Sequence, residues 1–223
     1  MIQDHIRYAS TPTYTKSTLI FSLGHYISLD DGKDDFSKHL LYFYKWGHYK
    51  DDFFKKVVEL YNQRFQSDRI TFDIITLFPT RTKDELNSNM LELVENVSHS
   101  INIPYIQVLR RNRTVKSNHE LKTFRERLEN ITGSIDVTQD VSGKNIIVFD
   151  NTATTGISLI VATNALKEKG ANNVVGFTLG LSNKERLSDW NDVNYTLKYS
   201  KIMNICNSPY LDKEVRDKWK KNQ

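Results

Sequence analysis

Cysteine is almost missing from this chain. Cys206 is the one thiol in 223 residues, so no internal disulfide can form and no cysteine-rich zinc site can be completed. A reducing, cytoplasmic setting is the expectation. Glycine and proline are scarce too: 9 and 4 residues, together about 6% against a usual value near 12%. This excludes a collagen-like, linker-dominated or low-complexity chain. Apolar runs such as Leu40–Tyr44 reach only five residues, whereas a bilayer-spanning helix needs roughly 20. No membrane span is expected, and with Asp4 so early and no apolar core after Met1, no signal peptide either. The six histidines, His99 and His119 among them, include no i, i+4 pair that would hold a metal on a helix.

What remains is an ordinary soluble composition, 39% hydrophobic and 26% charged. A chain of this length buries about 70–75% of its unfolded surface, enough for a full core without staples. The net charge of +4 is unevenly spread. Residues 110 to 127 hold seven basic and two acidic side chains, a local +5, so the rest of the chain sums to −1. Arg110, Arg111, Arg113, Lys116, Lys122, Arg125 and Arg127 therefore form either a solvated helix face or a surface for phosphate.

From about residue 70, short β-rich runs alternate with helical patterns, the mark of βαβ units and a parallel sheet. Strands are expected at Phe72–Phe78, Tyr105–Leu109, Asn145–Asp150 and Val174–Leu179. Met90, Val94, Val97 and Ile101 recur at helical spacing, as do Ile157, Ile160, Val161 and Leu166 ahead of a capping Gly170. Before residue 70 the pattern predicts β structure at Thr18–Leu23 and Tyr26–Leu29, a turn at Asp30-Asp31-Gly32, and two helices, the second opening at Asp51-Asp52. Tyr42, Phe43, Tyr44, Trp46, Phe53 and Phe54 fall at helical spacing and read as core, with base stacking as the alternative. Leu211, Val215 and Trp219 predict an amphipathic tail helix.

The segment Lys144 to Leu159, KNIIVFDNTATTGISL, carries the chemistry. An apolar strand runs into Asp150, and a small hydroxyl-rich loop leads directly into a helix. Backbone N–H groups at a helix N-terminus lack internal partners, and the dipole adds roughly half a positive charge there, so the junction suits a phosphate. Gly156 permits close approach, and Thr154 and Thr155 add hydroxyl donors. A carboxylate beside such a cradle would repel phosphate. Asp150 instead suits hydroxyls such as those of a ribose, at the strand end where open α/β sheets bind ligands.

IIVFDNTATTG, residues 146 to 156, resembles the phosphoribosyl pyrophosphate (PRPP) signature of type I phosphoribosyltransferases. ITFDIITLFPTR at 70–81, IPYIQVLRRNRT at 103–114 with Arg127, Asn130 and Gly133, and YFYKWGHYKDDFFKKVVEL at 42–60 resemble, more loosely, segments of the ComF-like branch. The resemblance implies a single Rossmann-like α/β domain with a central parallel sheet flanked by helices. It implies an N-terminal hood over residues 1–66 and a catalytic core with its C-terminal helix over 67–223. Asp150 and Asn151 would hold ribose hydroxyls, and Thr152, Ala153, Thr154, Thr155, Gly156 and Ser158 would cradle the 5′-phosphate. Thr80 and Arg81 would lie at the pyrophosphate loop, while Arg113 and Lys116, in a lid around 110–116, would stabilise the leaving pyrophosphate. The implied reaction displaces pyrophosphate from the anomeric carbon by a nitrogen nucleophile, with Mg²⁺ on PRPP. Implied partners are PRPP and a small-molecule acceptor, with a homodimer and nucleic acid as further options.

Two departures from the family pattern shape the alternatives. Asn151 stands at the second acidic position and lacks its charge, which suggests a PRPP or nucleotide sensor with weakened turnover. No cysteine precedes Cys206, where the ComF-like branch often begins with a zinc element, so the 110–127 stretch is what would carry a nucleic-acid role. Thr154 occupies the position at which 6-oxopurine salvage enzymes place an acid, and Ile2 follows Met1 where glutamine amidotransferases expose cysteine. Both subclasses are disfavoured.

Overall fold

The computed structural model describes residues 5–9, 18–26, 34–66, 71–117, 120–182 and 198–200. The expected tail helix, Cys206, His119 and the Asp30–Gly32 turn lie outside them. Among the described residues, eight strands and five α-helices are arranged as α/β, with a six-stranded sheet in the order β3-β6-β7-β2-β1-β8. The strands are β1 His5–Ala9, β2 Thr18–Tyr26, β3 Ile74–Leu77, β4 Leu109–Arg111, β5 Ile135–Val137, β6 Asn145–Ala153, β7 Asn173–Ser182 and β8 Lys198–Ser200. The helices are α1 Asp35–Trp46, α2 Lys50–Tyr61, α3 Ser88–Ile101, α4 Phe124–Ile131 and α5 Ile157–Glu168, and a π-helical turn at Asn62–Gln66 extends α2. β3, β6, β7 and β2 pair in parallel, while β1 and β8 add an antiparallel edge. The central parallel sheet flanked by helices is thus as expected from the alternating pattern.

β6 explains how the sheet is covered on both faces. Ile147 and Phe149 join a core with Leu40, Phe43, Phe53, Val57 and Val94 from the α1–α3 side. Ile146 and Val148 join a second core with Ile157, Ile160 and Leu166 of α5. Period-two alternation in a strand apolar on both sides produces this division. Phe149 stacks on Phe177 of β7 with centroids 4.8 Å apart.

Two sequence expectations are corrected. β2 pairs with β7 from Leu19↔Val175 to Tyr26↔Ser182, so this strand of the N-terminal stretch is integral to the sheet. Residues 27–29 of the second expected β run lie outside the described residues, and β2 itself runs unbroken from Thr18 to Tyr26, with no break after Leu23. Gly24 lies within it because a Cβ there would meet the Phe36 ring at 3.0 Å. Tyr105–Leu109 is not a strand: Tyr105 makes one parallel bridge to Ile75, and then the Gln107 amide takes over from the backbone. Its Nδ-equivalent amide nitrogen, Nε2, donates to the Leu77 carbonyl (2.9 Å) while its Oε1 accepts the Leu77 N–H (3.3 Å). The chain then leaves the sheet edge and pairs as β4 with β5.

Candidate functional site

A cleft of about 670 Å³ opens at the carboxyl ends of β3 and β6. That is an ordinary size for a small-molecule site. Its floor is the β6–α5 junction, with every residue from Asp150 to Leu159 in the lining. Gly156 takes φ 77° as the residue before α5, a left-handed conformation that suits glycine and lets the chain turn sharply from strand to helix. The Ile160 N–H donates to the Gly156 carbonyl at 2.9 Å, so the helix is wound from its first turn. α5 is buried from Ile157 to Leu166 except at Ser158 and Ala165, which fixes its N-terminus at the cleft.

Asp150 and Asn151 are each folded onto the backbone: Asp150 Oδ1 accepts the Asn151 N–H and Asn151 Oδ1 accepts the Thr152 N–H, both at 2.8 Å. This leaves the second Asp150 oxygen available to a ligand. Burial pushes the Asp150 carboxyl up to about 7, against the opposing effects of the Asn151 N–H and of Arg111.

Arg111 was legible only as one member of a basic run, yet it is the most constrained of them, 2% exposed. Its Nε donates to the Thr80 carbonyl (2.9 Å) and its Nη1 to Ser134 Oγ (2.6 Å), and the guanidinium lies 5.2 Å from the Phe78 ring centroid. Burial lowers its pKa to about 10, with Asp150 acting in the opposite direction, so it stays charged at neutral pH beside that carboxylate. Leu109 and Arg111 share one face of β4, and this i, i+2 relation was the signal for an inward arginine.

The other basic residues separate. Lys116 and Arg127 line the cleft, as do Thr80 and Arg81. Arg113 does not: its Nη2 donates to the carbonyls of Asn130 (2.9 Å) and Thr132 (3.1 Å), closing the end of α4. Arg110 pairs with Asp136 at 3.0 Å. The single 110–127 face is therefore corrected to a split set, because β4 and α4 point its members in different directions.

The loop after β3 is held against this segment. Thr80 N–H donates to the Glu85 carbonyl (3.0 Å), Val115 N–H to the Arg81 carbonyl (2.9 Å), and Asp84 N–H to the Arg111 carbonyl (3.2 Å). The remaining wall comes from α1 and the start of α3, with Tyr44, Glu85 and Asn87 in the lining. Sequence reasoning missed Glu85 and Asn87, although Asn87 caps α3 by accepting the Met90 N–H (3.0 Å). The aromatic run divides by position: Phe43 and Phe53 are core, Tyr44 lines the cleft, and Tyr42 and Trp46 are exposed. Close packing of α1 over the site depends on Gly180, where a Cβ would meet Leu40 Cδ2 at 2.6 Å.

Among the described residues no group of three or more His, Cys, Asp or Glu could hold a metal, and no helix is long and apolar enough to cross a membrane.

No family model matches the sequence, and no curated protein does. Solved structures are similar at low overlap. An allosteric regulatory enzyme of purine biosynthesis aligns with TM-score 0.40 and 17% identity, over 61% of this chain and 29% of that one. A purine phosphoribosyltransferase from Pyrococcus horikoshii aligns with TM-score 0.37 and 17% identity, over 59% and 71%. A hypoxanthine-guanine phosphoribosyltransferase from Bacillus anthracis aligns with TM-score 0.39 and 16% identity, over 62% and 71%. The chain spans less than a third of the first of these proteins.

Proposed function

We propose that this chain is a type I phosphoribosyltransferase-like protein, with its nearest motif likeness in the ComF-like branch, that binds Mg·PRPP in the cleft and transfers the phosphoribosyl group to a nitrogen acceptor. The observation that carries this reading is one cleft lined by both the Thr152–Ser158 loop at the α5 N-terminus and the cations Arg81, Arg111 and Lys116. The first suits a 5′-phosphate and the second a pyrophosphate. Asp150 lies in the same lining, where its free oxygen suits the ribose hydroxyls.

In the reaction, the bond from the anomeric carbon to pyrophosphate breaks, a carbon–nitrogen bond forms, and the nitrogen loses a proton. Arg81 and Lys116 stabilise the charge that develops on pyrophosphate, while Arg111 holds the Pro79–Thr80 backbone beneath it. With no carboxylate cage among the described residues, the donor set would fit a Mg²⁺ carried in by the substrate's phosphates, with Asp150 as the cleft residue that would help hold it. When bound, the ion neutralises pyrophosphate charge.

A second reading, a PRPP sensor without turnover, is favoured by Asn151, whose side-chain oxygen is occupied by the Thr152 N–H. Titration calorimetry with Mg·PRPP tests binding, and pyrophosphate release over a panel of nitrogen acceptors separates enzyme from sensor. No binding in either the native chain or Asn151→Asp would overturn both readings.

A further inference from the structure

The loop carrying Arg81 and the segment carrying Lys116 grip one another directly, although 31 residues separate Lys83 from Thr114. The Val115 N–H donates to the Arg81 carbonyl at 2.9 Å, and the Lys83 N–H donates to Thr114 Oγ1 at 3.0 Å. These two bonds bracket Thr82, whose own N–H donates to Thr80 Oγ1 at 3.2 Å, so the backbone is held on both sides of the turn. Val115 anchors the grip: it is buried and lines the cleft, whereas Thr114 and Lys116 on either side of it are exposed. Just beyond, Asp84 takes φ 56° and its N–H donates to the Arg111 carbonyl at 3.2 Å, which fastens the far end of the loop to the same segment.

Side-chain contact does little to place Arg81. Its Nη1 lies 3.9 Å from Glu120 Oε1, with side-chain exposures of 63% and 57%, and an ion pair so exposed contributes little. Its main chain sets its place, and the Thr114 hydroxyl is the part of that grip that a side-chain substitution can remove. Two cations that meet one ligand group bind it best when their spacing is fixed beforehand. Thr114 joins the backbone of the Arg81 loop to the chain two residues ahead of Lys116.

We infer that Thr114 is a positioning residue for the pyrophosphate end of the cleft, fixing the Arg81 loop against the Lys116 segment before a ligand arrives. This rests on the phosphoribosyltransferase reading of the cleft. The Thr152–Ser158 loop takes no part in the bonds named above, so the effect should be confined to one end of the ligand.

The test begins with calorimetry of Mg·PRPP on the full native chain. Mg·pyrophosphate and ribose 5-phosphate are then titrated separately into the native chain, Thr114→Val and Thr114→Ser. Thr114→Val, which keeps the branched shape and loses the acceptor, is expected to weaken Mg·pyrophosphate by about fivefold, the worth of one hydrogen bond. Ribose 5-phosphate affinity should stay within about twofold of native, and Thr114→Ser should restore pyrophosphate binding. A general loss of structure would weaken both ligands together. Thr114→Val combined with Arg81→Ala should bind pyrophosphate little worse than Arg81→Ala alone, because Thr114 acts through Arg81. If Mg·PRPP binds the native chain but Thr114→Val leaves pyrophosphate unchanged, weakens both ligands equally, is not rescued by serine or adds fully to Arg81→Ala, the inference is overturned while the reading of the cleft stands. If Mg·PRPP does not bind, both fall.

Discussion

Asn130 and Lys116 hold one another through reciprocal hydrogen bonds: the Lys116 N–H donates to Asn130 Oδ1 at 3.1 Å, and Asn130 Nδ2 donates to the Lys116 carbonyl at 3.0 Å. A side-chain amide here does for the backbone what a strand partner would do. It sets the point at which Lys116 enters the cleft, 14 residues away along the chain.

Asn130→Ala should therefore reduce Mg·PRPP affinity while leaving thermal stability nearly intact. Each of the two bonds contributes about 0.5–1.5 kcal/mol at most, and both are exposed, so a loss of roughly fivefold is expected by calorimetry. The double variant with Lys116→Ala should lose little more than Lys116→Ala alone, since Asn130 acts through Lys116. Full additivity would sever the link.

Arg111→Met should be the most destabilising of the single changes in the basic segment. It removes donors from the Thr80 carbonyl and Ser134 Oγ and leaves Asp150 without its neighbouring cation. Leaving a buried acceptor without its donor costs about 1–3 kcal/mol, and for a domain of this size each kcal/mol lowers Tm by roughly 2–4 °C. Arg111→Lys should recover little of this, because an ammonium cannot supply the guanidinium's fork of donors. A melting curve within a degree or two of the native chain would contradict the arrangement.

Asp150 predicts a pH signature. Its folded pKa, about 7, lies above its ordinary value of 3.8, so between those values the folded state binds more protons than the unfolded one. Its contribution to stability is present below about pH 4 and declines as pH rises through 7, by an amount on the order of a few kcal/mol. Asp150→Asn should consequently gain stability relative to the native chain at pH 8 and not at pH 4, as read by denaturant titration at the two values. Mg·PRPP binding in the native chain should strengthen as pH rises through about 7, because a ribose hydroxyl donates to the carboxylate and less well to the acid.

Asn151→Asp should strengthen Mg·PRPP binding by about tenfold, the difference between a charge-assisted and a neutral hydrogen bond. The substitution is conservative in geometry, because a carboxylate oxygen can accept the Thr152 N–H as Asn151 Oδ1 does at 2.8 Å. Unchanged affinity in calorimetry would mean that this side chain faces no part of the substrate.

The sequence was most informative where local signals and long-range demands coincide. Apolar residues leading into Asp150, then small residues and Gly156, specify a strand, a turn and a helix N-terminus, and all three occur there. It was least informative where a side chain replaces a backbone partner. Nothing local announces that Gln107 will occupy both the N–H and C=O of Leu77, and so the expected strand at 105–109 dissolves. Charge misled in a similar way. Seven basic residues look alike in a string, but β4 buries Arg111, leaves Arg110 to Asp136, and sends Arg113 to the end of α4. The assignment of β2 to the sheet was hidden for another reason, since its parallel partner lies about 150 residues later.

That last separation has a kinetic consequence. β7 is the strand through which β2 and β6 are joined, and it consists of residues 173 to 182. During synthesis, β2 emerges well before β7 and then waits with one hydrogen-bonding edge unpaired until about 150 residues have followed it. Pairings this distant in sequence form slowly, and an open edge is the usual place for one chain to pair with another. Ribosome-bound chains halted before residue 173 should therefore be protease-sensitive at β2, and protection should arrive as one step once β7 has emerged.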